Sequence, residues 1–105
     1  MLTLNRKNFY KNRNMNGIAS ALEGIASLNI LIGKPERAAR LLGWTDATRE
    51  KISDPRWRVE QADVDRDIAA IIAKIGNAAF EEANNKGRAM SLDEAVALAL
   101  EEIRL

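Results

Sequence analysis

From Asn16 onward, apolar residues return at helical intervals. Ile18, Leu22, Ile25 and Ala26 follow one another at spacings of four, three and one, with Asn29 three further on, so all five share one helix face. Asn16 is suited to cap this helix, Gly33 to stop it, and Pro35 to open the next. A second helix is expected from Pro35 to about Ile52. Its inward stripe is Ala38, Leu41, Leu42 and Thr45, extended by Thr48 and Ile52. Ser53-Asp54-Pro55 ends it, because the residue before proline is pushed out of the α region. Only two or three residues join the two helices, which makes them an antiparallel pair.

A third helix is expected from about Val59 to Ile75. Val64, Ile68, Ile71, Ile72 and Ile75 form its face, and Gly76 ends it in the left-handed conformation. Asn77 is placed to cap a short fourth helix that ends at Gly87, with Phe80 and Ala83 inward. Ser91-Leu92-Asp93-Glu94 is a capping box for a fifth helix, whose buried face is Leu92, Ala95, Val96, Ala99 and Ile103. The expected fold is therefore all-α: one antiparallel helical hairpin followed by three further helices. Residues 16–105 form a single helical domain. Residues 1–15, rich in Asn and basic residues and without a clean period, are expected to be a flexible basic arm.

Composition agrees with close-packed helices. Apolar residues make up 47% of the 105, but aromatics only 5%, so Ala, Leu, Ile and Val must build the core. The chain has no Cys and no His. Disulfides, thiol nucleophiles, Cys/His zinc sites and imidazole acid–base chemistry are thereby excluded within it. No apolar run approaches the roughly 20 residues of a membrane span. No secretory signal opens the chain either, and a cytoplasmic protein is expected. Net charge is +1, unevenly spread. Arg6, Lys7, Lys11 and Arg13 give residues 1–14 a charge of +4, and the remainder carries −3. A body of that balance lacks the dense cationic face that phosphate binding needs.

Segment 22–50, LEGIASLNILIGKPERAARLLGWTDATRE, resembles a tetratricopeptide-repeat hairpin. Gly33 falls at the turn between the repeat's helices. Ala26 and Ala38 fall at its small, close-contact positions, and Leu22, Ile25 and Leu42 at core positions. Asn29 stands where the repeat usually has an aromatic residue and Thr45 where it usually has alanine, so the repeat is divergent. The later run IGNAAFEEANNKGRAMSLDEAVALALEE adds Gly76, Phe80, Gly87, Arg88, Met90, Ser91, Glu94, Ala95 and Val96 to the likeness. Together the two stretches, within residues 17–103, resemble the C-terminal tails of large bacterial LuxR-type, ATPase-bearing transcriptional regulators. The resemblance implies a helical, tetratricopeptide-like protein-interaction module. This sequence holds neither a glycine-rich phosphate loop nor room for a helix-turn-helix reader beside these helices. The family's ATPase and DNA-binding parts are accordingly not expected here.

The first helix of such a repeat lines a concave face. Carried over, those lining positions are Ser20, Glu23, Ser27, Ile30 and Leu31. Ile30 and Leu31 lie off the inward stripe, as a partner-facing patch would, or else they pack against the arm or the later helices. Trp44 and Trp57 are candidate interaction anchors, with core or cover packing as the alternative. Asp63, Asp65 and Asp67 read as a solvated acidic helix face, since no other ligand residues converge on them. No catalytic activity, metal or cofactor is expected. The expected partner is protein: a second copy in a homodimer, or another chain. A lone repeat has an unpaired leading face, which motivates self-association. The competing function is a small nucleic-acid-binding regulator that uses the basic arm, in which Phe9 and Tyr10 interleave with the cations.

Overall fold

A computed structural model describes the backbone of residues 2–101 and the side chains of residues 14–101. Among the described residues there are five helices and no strand: α1 (Leu2–Leu31), α2 (Pro35–Ile52), α3 (Arg58–Ile75), α4 (Asn77–Arg88) and α5 (Leu92–Glu101). The all-α expectation holds, α2, α3 and α4 lie within a residue of their expected bounds, and α5 starts where its capping box places it. The first helix differs. Its backbone is helical from Leu2, so Asn16 is a mid-helix residue and not a cap. The arm's expected flexibility, and Ile103, concern residues or side chains outside the described set.

Helix α1 ends in two bonds that close a Schellman turn. The amide of Lys34 donates to the Asn29 carbonyl (2.7 Å) and that of Gly33 to the Ile30 carbonyl (3.2 Å). Gly33 takes φ +82°, and Pro35 then starts α2. Helix α2 ends in the same motif, with Asp54 donating to the Arg49 carbonyl (3.0 Å) and Ser53 to that of Glu50 (3.3 Å). Here the left-handed residue is Ser53, at φ 54° and ψ 44°. Gly76 has φ 88° but ψ 163°, an extended mirror-image conformation open only to glycine, in place of the expected left-handed helical one. It is also the residue that precedes α4, so Asn77 is the first helical position and caps nothing. The capping box at α5 is formed: the Ser91 amide donates to Glu94 Oε1 (2.8 Å) and the Glu94 amide to Ser91 Oγ (3.1 Å).

Helix α2 is the centre of the molecule, packed by α1 and α4 and, less extensively, by α3 and α5. Its residues Ala38, Ala39, Leu41, Leu42, Gly43, Trp44 and Thr45 are all buried. Around them the core is built from Ala19, Leu22 and Ala26 of α1, Val64 and Ile71 of α3, Ala83 of α4, and Ala95, Leu98 and Ala99 of α5. Half of the buried apolar residues among those described are alanines, so the helices approach closely.

The approach is tightest between α2 and α4. A Cβ at Gly87 would fall on the backbone carbonyl of Arg40, and one at Gly43 on that of Asn84. Asn84 Nδ2 also donates across the crossing to the Ala39 carbonyl (3.3 Å). Gly87 is thus a buried contact residue within α4, not the stop that the sequence suggested; the helix continues to Arg88. Gly87→Ala should lower the unfolding free energy by about 3 kcal/mol in urea denaturation, because rigid backbone cannot yield to the new methyl. Ser53→Gly, at an exposed left-handed position, should raise it by about 0.5–1 kcal/mol in the same measurement.

Candidate interaction site

The face of α1 that was expected to line a concave surface divides into two parts. One part turns towards the end of α2 and the start of α3, where it meets charge. Glu23 accepts a side-on fork from Arg49, with Nε–Oε2 and Nη2–Oε1 both at 3.0 Å. Arg49 also donates to Ser20 Oγ (3.1 Å), Asn16 Oδ1 (3.2 Å) and the Asp54 carbonyl (3.3 Å). A second guanidinium, Arg56 in the α2–α3 loop, donates to Glu23 Oε2 (2.6 Å) and Thr45 Oγ1 (3.1 Å), pairs with Asp46 (2.7 Å), and reaches Gln61 (3.3 Å). The side chains of Arg49 and Arg56 are each 6% exposed and that of Glu23 10%. Two cations and two carboxylates balance at this site. Removing one partner would strand a charge in a medium that cannot solvate it.

The Arg49 guanidinium is held more basic than usual, chiefly by its hydrogen bond to Glu23 and against the opposing effect of burial. A raised pKa contributes stability that is fully present below the ordinary arginine value, so the fork is charged throughout the neutral range. At the far end of the same helix face, Ser27 Oγ donates to Asp67 Oδ2 of α3 (2.5 Å). Ser20, Glu23 and Ser27 therefore direct their polar groups to α2 and α3. With Gly24, Glu60, Asp63, Val64 and Asp67 they line a groove of about 180 Å³ between α1 and α3. Among the described residues no group of three or more acidic side chains is arranged to hold a metal ion.

Elsewhere the ion pairs are superficial. Arg88 of α4 donates to Glu50 of α2 (2.7 Å), which lowers the Glu50 pKa and raises that of Arg88. That tether is present above the ordinary carboxylate range and is lost as pH falls through the lowered value. Both groups are in solvent, so its strength is screened. A cavity of about 580 Å³ opens between the α1–α2 turn, Ile75 and α5. Arg40 and Glu36 on its rim pair with each other (2.6 Å), and Arg37 lies 3.3 Å from Glu101.

The other part of α1 is apolar and faces outward. Leu31 is 81% exposed and Leu28 57%, and Ile32 just beyond the helix is also exposed. Of the two readings for Ile30, a partner-facing patch or packing within the chain, the structure has the second: it packs against the core. Trp44 is 4% exposed within the core of α2 and presents no surface to a partner. Trp57 is the reverse, at 80% exposure, with Val59 exposed beside it and its backbone amide bonded to Glu60 Oε1 (3.1 Å). The cover packing considered for Trp57 is not seen. Sequence reasoning missed Arg49 and Arg56 altogether. Their partners lie 26 and 33 residues away in the chain, and no local pattern marks them.

Over 83 residues the chain is 31% identical to proteins provisionally named HTH-type transcriptional regulators, from Mycobacterium bovis and from two strains of Mycobacterium tuberculosis. The match covers 79% of this chain and 9% of each relative, so the chain spans less than a tenth of the length of these curated proteins. No family model matches the chain. No solved structure matches it. Its similarity is thus to one segment of much longer transcriptional regulators. Among the described residues no helix is long and apolar enough to cross a membrane.

Glu23→Ala should cost about 3–5 kcal/mol in unfolding free energy, since it leaves Arg49 and Arg56 buried with much of their charge uncompensated. Arg66→Ala, which removes an exposed pair with Asp63, should change it by about 0.5 kcal/mol or less. Urea denaturation of the two variants side by side checks both values.

Proposed function

We propose that this chain is a non-catalytic protein-interaction module with a regulatory role. It is a tetratricopeptide-like hairpin, α1 and α2, closed by α3, α4 and α5, of the kind that ends large LuxR-type regulators. One observation carries this reading. A segment similar to proteins provisionally named transcriptional regulators packs on α2 a helix, α1, that between Asn14 and Ile32 shows solvent a face without charge. Solenoid units bury such faces on neighbouring units. Absence of catalysis is supported by the residues themselves. The chain has no His or Cys, and its buried charged groups bond to one another.

A nucleic-acid-binding regulator is the second reading. The names of the relatives favour it, and so does the +4 charge of residues 1–14. Against it, Arg49 and Arg56 are committed internally, and the rest of the body is net acidic.

Mobility-shift titrations of labelled duplex DNA and single-stranded RNA, at low and high salt, separate the two. The interaction module should give no shift. A salt-dependent shift that disappears when residues 1–14 are deleted would replace it with the nucleic-acid reading.

A further inference from the structure

Between Asn14 and Ile32 the outward face of α1 carries Gly17, Ala21, Gly24, Leu28 and Leu31, at spacings of four, three, four and three. All five are exposed, and no charged residue interrupts them. The one charged residue of this stretch, Glu23, lies to the side and is bonded to Arg49 and Arg56, and the α3 carboxylates that share the groove with Gly24 are engaged too: Glu60 by the Trp57 amide, Asp63 by Arg66 and Asp67 by Ser27. A helix that faces water on one side normally carries charged or strongly polar residues there, and one that is apolar all round is covered on both sides. The surface is also open: a Cβ added at Gly17 or Gly24 would meet nothing within 4 Å.

The order of residue sizes along the face is specific. The N-terminal half is small (Gly17, Ala21) and the C-terminal half large (Leu28, Leu31), with Gly24 at the midpoint. Turned end for end about Gly24, the face fits itself. Leu28 meets Ala21 of the other copy, Leu31 meets its Gly17, and the two Gly24 backbones come together. The α2–α4 crossing at Gly43 and Gly87 shows the same device inside the chain, glycine allowing two helix backbones to touch.

We infer that this face of α1 docks a second copy of the chain, as an antiparallel, two-fold symmetric helix pair centred on Gly24. An isologous contact requires one patch that complements itself, and the small-to-large gradient supplies it. A parallel pairing would set leucine against leucine and leave a void between the glycines and alanines. The inference rests on the interaction-module reading and names its partner.

The test is the mass of the full chain by light scattering over a range of concentrations, with variants confirmed as helical by circular dichroism. A dimer is expected. Ala21→Glu and Leu28→Lys should each weaken association by about a hundredfold or more, because each buries a charge without a partner. The double variant A21E/L28K should recover much of it, since antiparallel register sets Glu against Lys twice. The chain has no cysteine, so single introduced thiols report register directly. Gly24→Cys should cross-link the dimer on oxidation, and Leu31→Cys should not. A monomer at every concentration, single variants that leave the mass unchanged, or a Leu31→Cys chain that cross-links as readily as Gly24→Cys would each overturn the inference. A monomer that binds no nucleic acid refutes self-pairing and leaves the interaction module standing. A salt-dependent complex formed through residues 1–14 refutes the module, whatever the mass.

Discussion

The contact on which the rest of this molecule depends is the crossing of α2 and α4, where Gly43 and Gly87 let two backbones meet. With no side chain between them, α4 lies directly on Arg40 and Asn84 lies against Gly43. Helices α3 and α5, the elements flanking α4 in the chain, pack on α2 less extensively. The core that results is thin and rich in alanine. Its large side chains are few: Leu22 on α1, Leu41, Leu42 and Trp44 on α2, Ile71 on α3, and Leu98 on α5. A core of this kind has little volume to rearrange, so each close approach must be right.

On the other side of α2 a different interaction does the holding. Arg49 and Arg56 converge on Glu23 from two chain segments, the end of α2 and the loop that follows it. The network ties α1, α2 and the α2–α3 loop at one end of the hairpin. A buried ionic cluster is weak evidence for net stability, since desolvation offsets much of the attraction. Its consequence is positional: only one placement of the loop satisfies both guanidiniums. The same cluster absorbs Ser20 and Glu23, two residues that a tetratricopeptide hairpin would offer to a partner. What α1 leaves to solvent between Asn14 and Ile32 includes the uncharged face of Gly17, Ala21, Gly24, Leu28 and Leu31. The candidate residues were legible as helix positions, but their burial and bonding were not. Of the candidates, Leu31 is fully outward, Ile30 and Trp44 are packed, and Ser27 is bonded to Asp67.

Much of the fold was readable because its signals are local. Pro35 opening α2, Pro55 closing it, the Ser91–Glu94 box and the isoleucine ladder of α3 each act within one or two helical turns. The bounds of α2 to α4 and the start of α5 followed from them. Reading failed wherever a local signal was ambiguous. Gly87 resembles a helix stop, yet glycine also serves as a contact surface, and only the position of Arg40 distinguishes the two. Asn16 resembles a cap, yet here it accepts a bond from Arg49 (3.2 Å) in the middle of a longer helix. The polar run before it hid the helical start at Leu2, because its apolar residues follow no clean period.

The amino-acid sequence by itself determined the all-α class, α2 to α4 with their ends, the start of α5, the alanine-rich core, and the exclusion of thiol and imidazole chemistry. These follow from periodicity, turn residues and composition, which are properties of neighbours in the chain. Only the tertiary structure decided which glycines are contacts, which charges are buried, and which face of α1 is left to solvent. Those depend on residues 26 to 47 positions apart meeting in space, and separations of that size carry no periodic trace in a single chain.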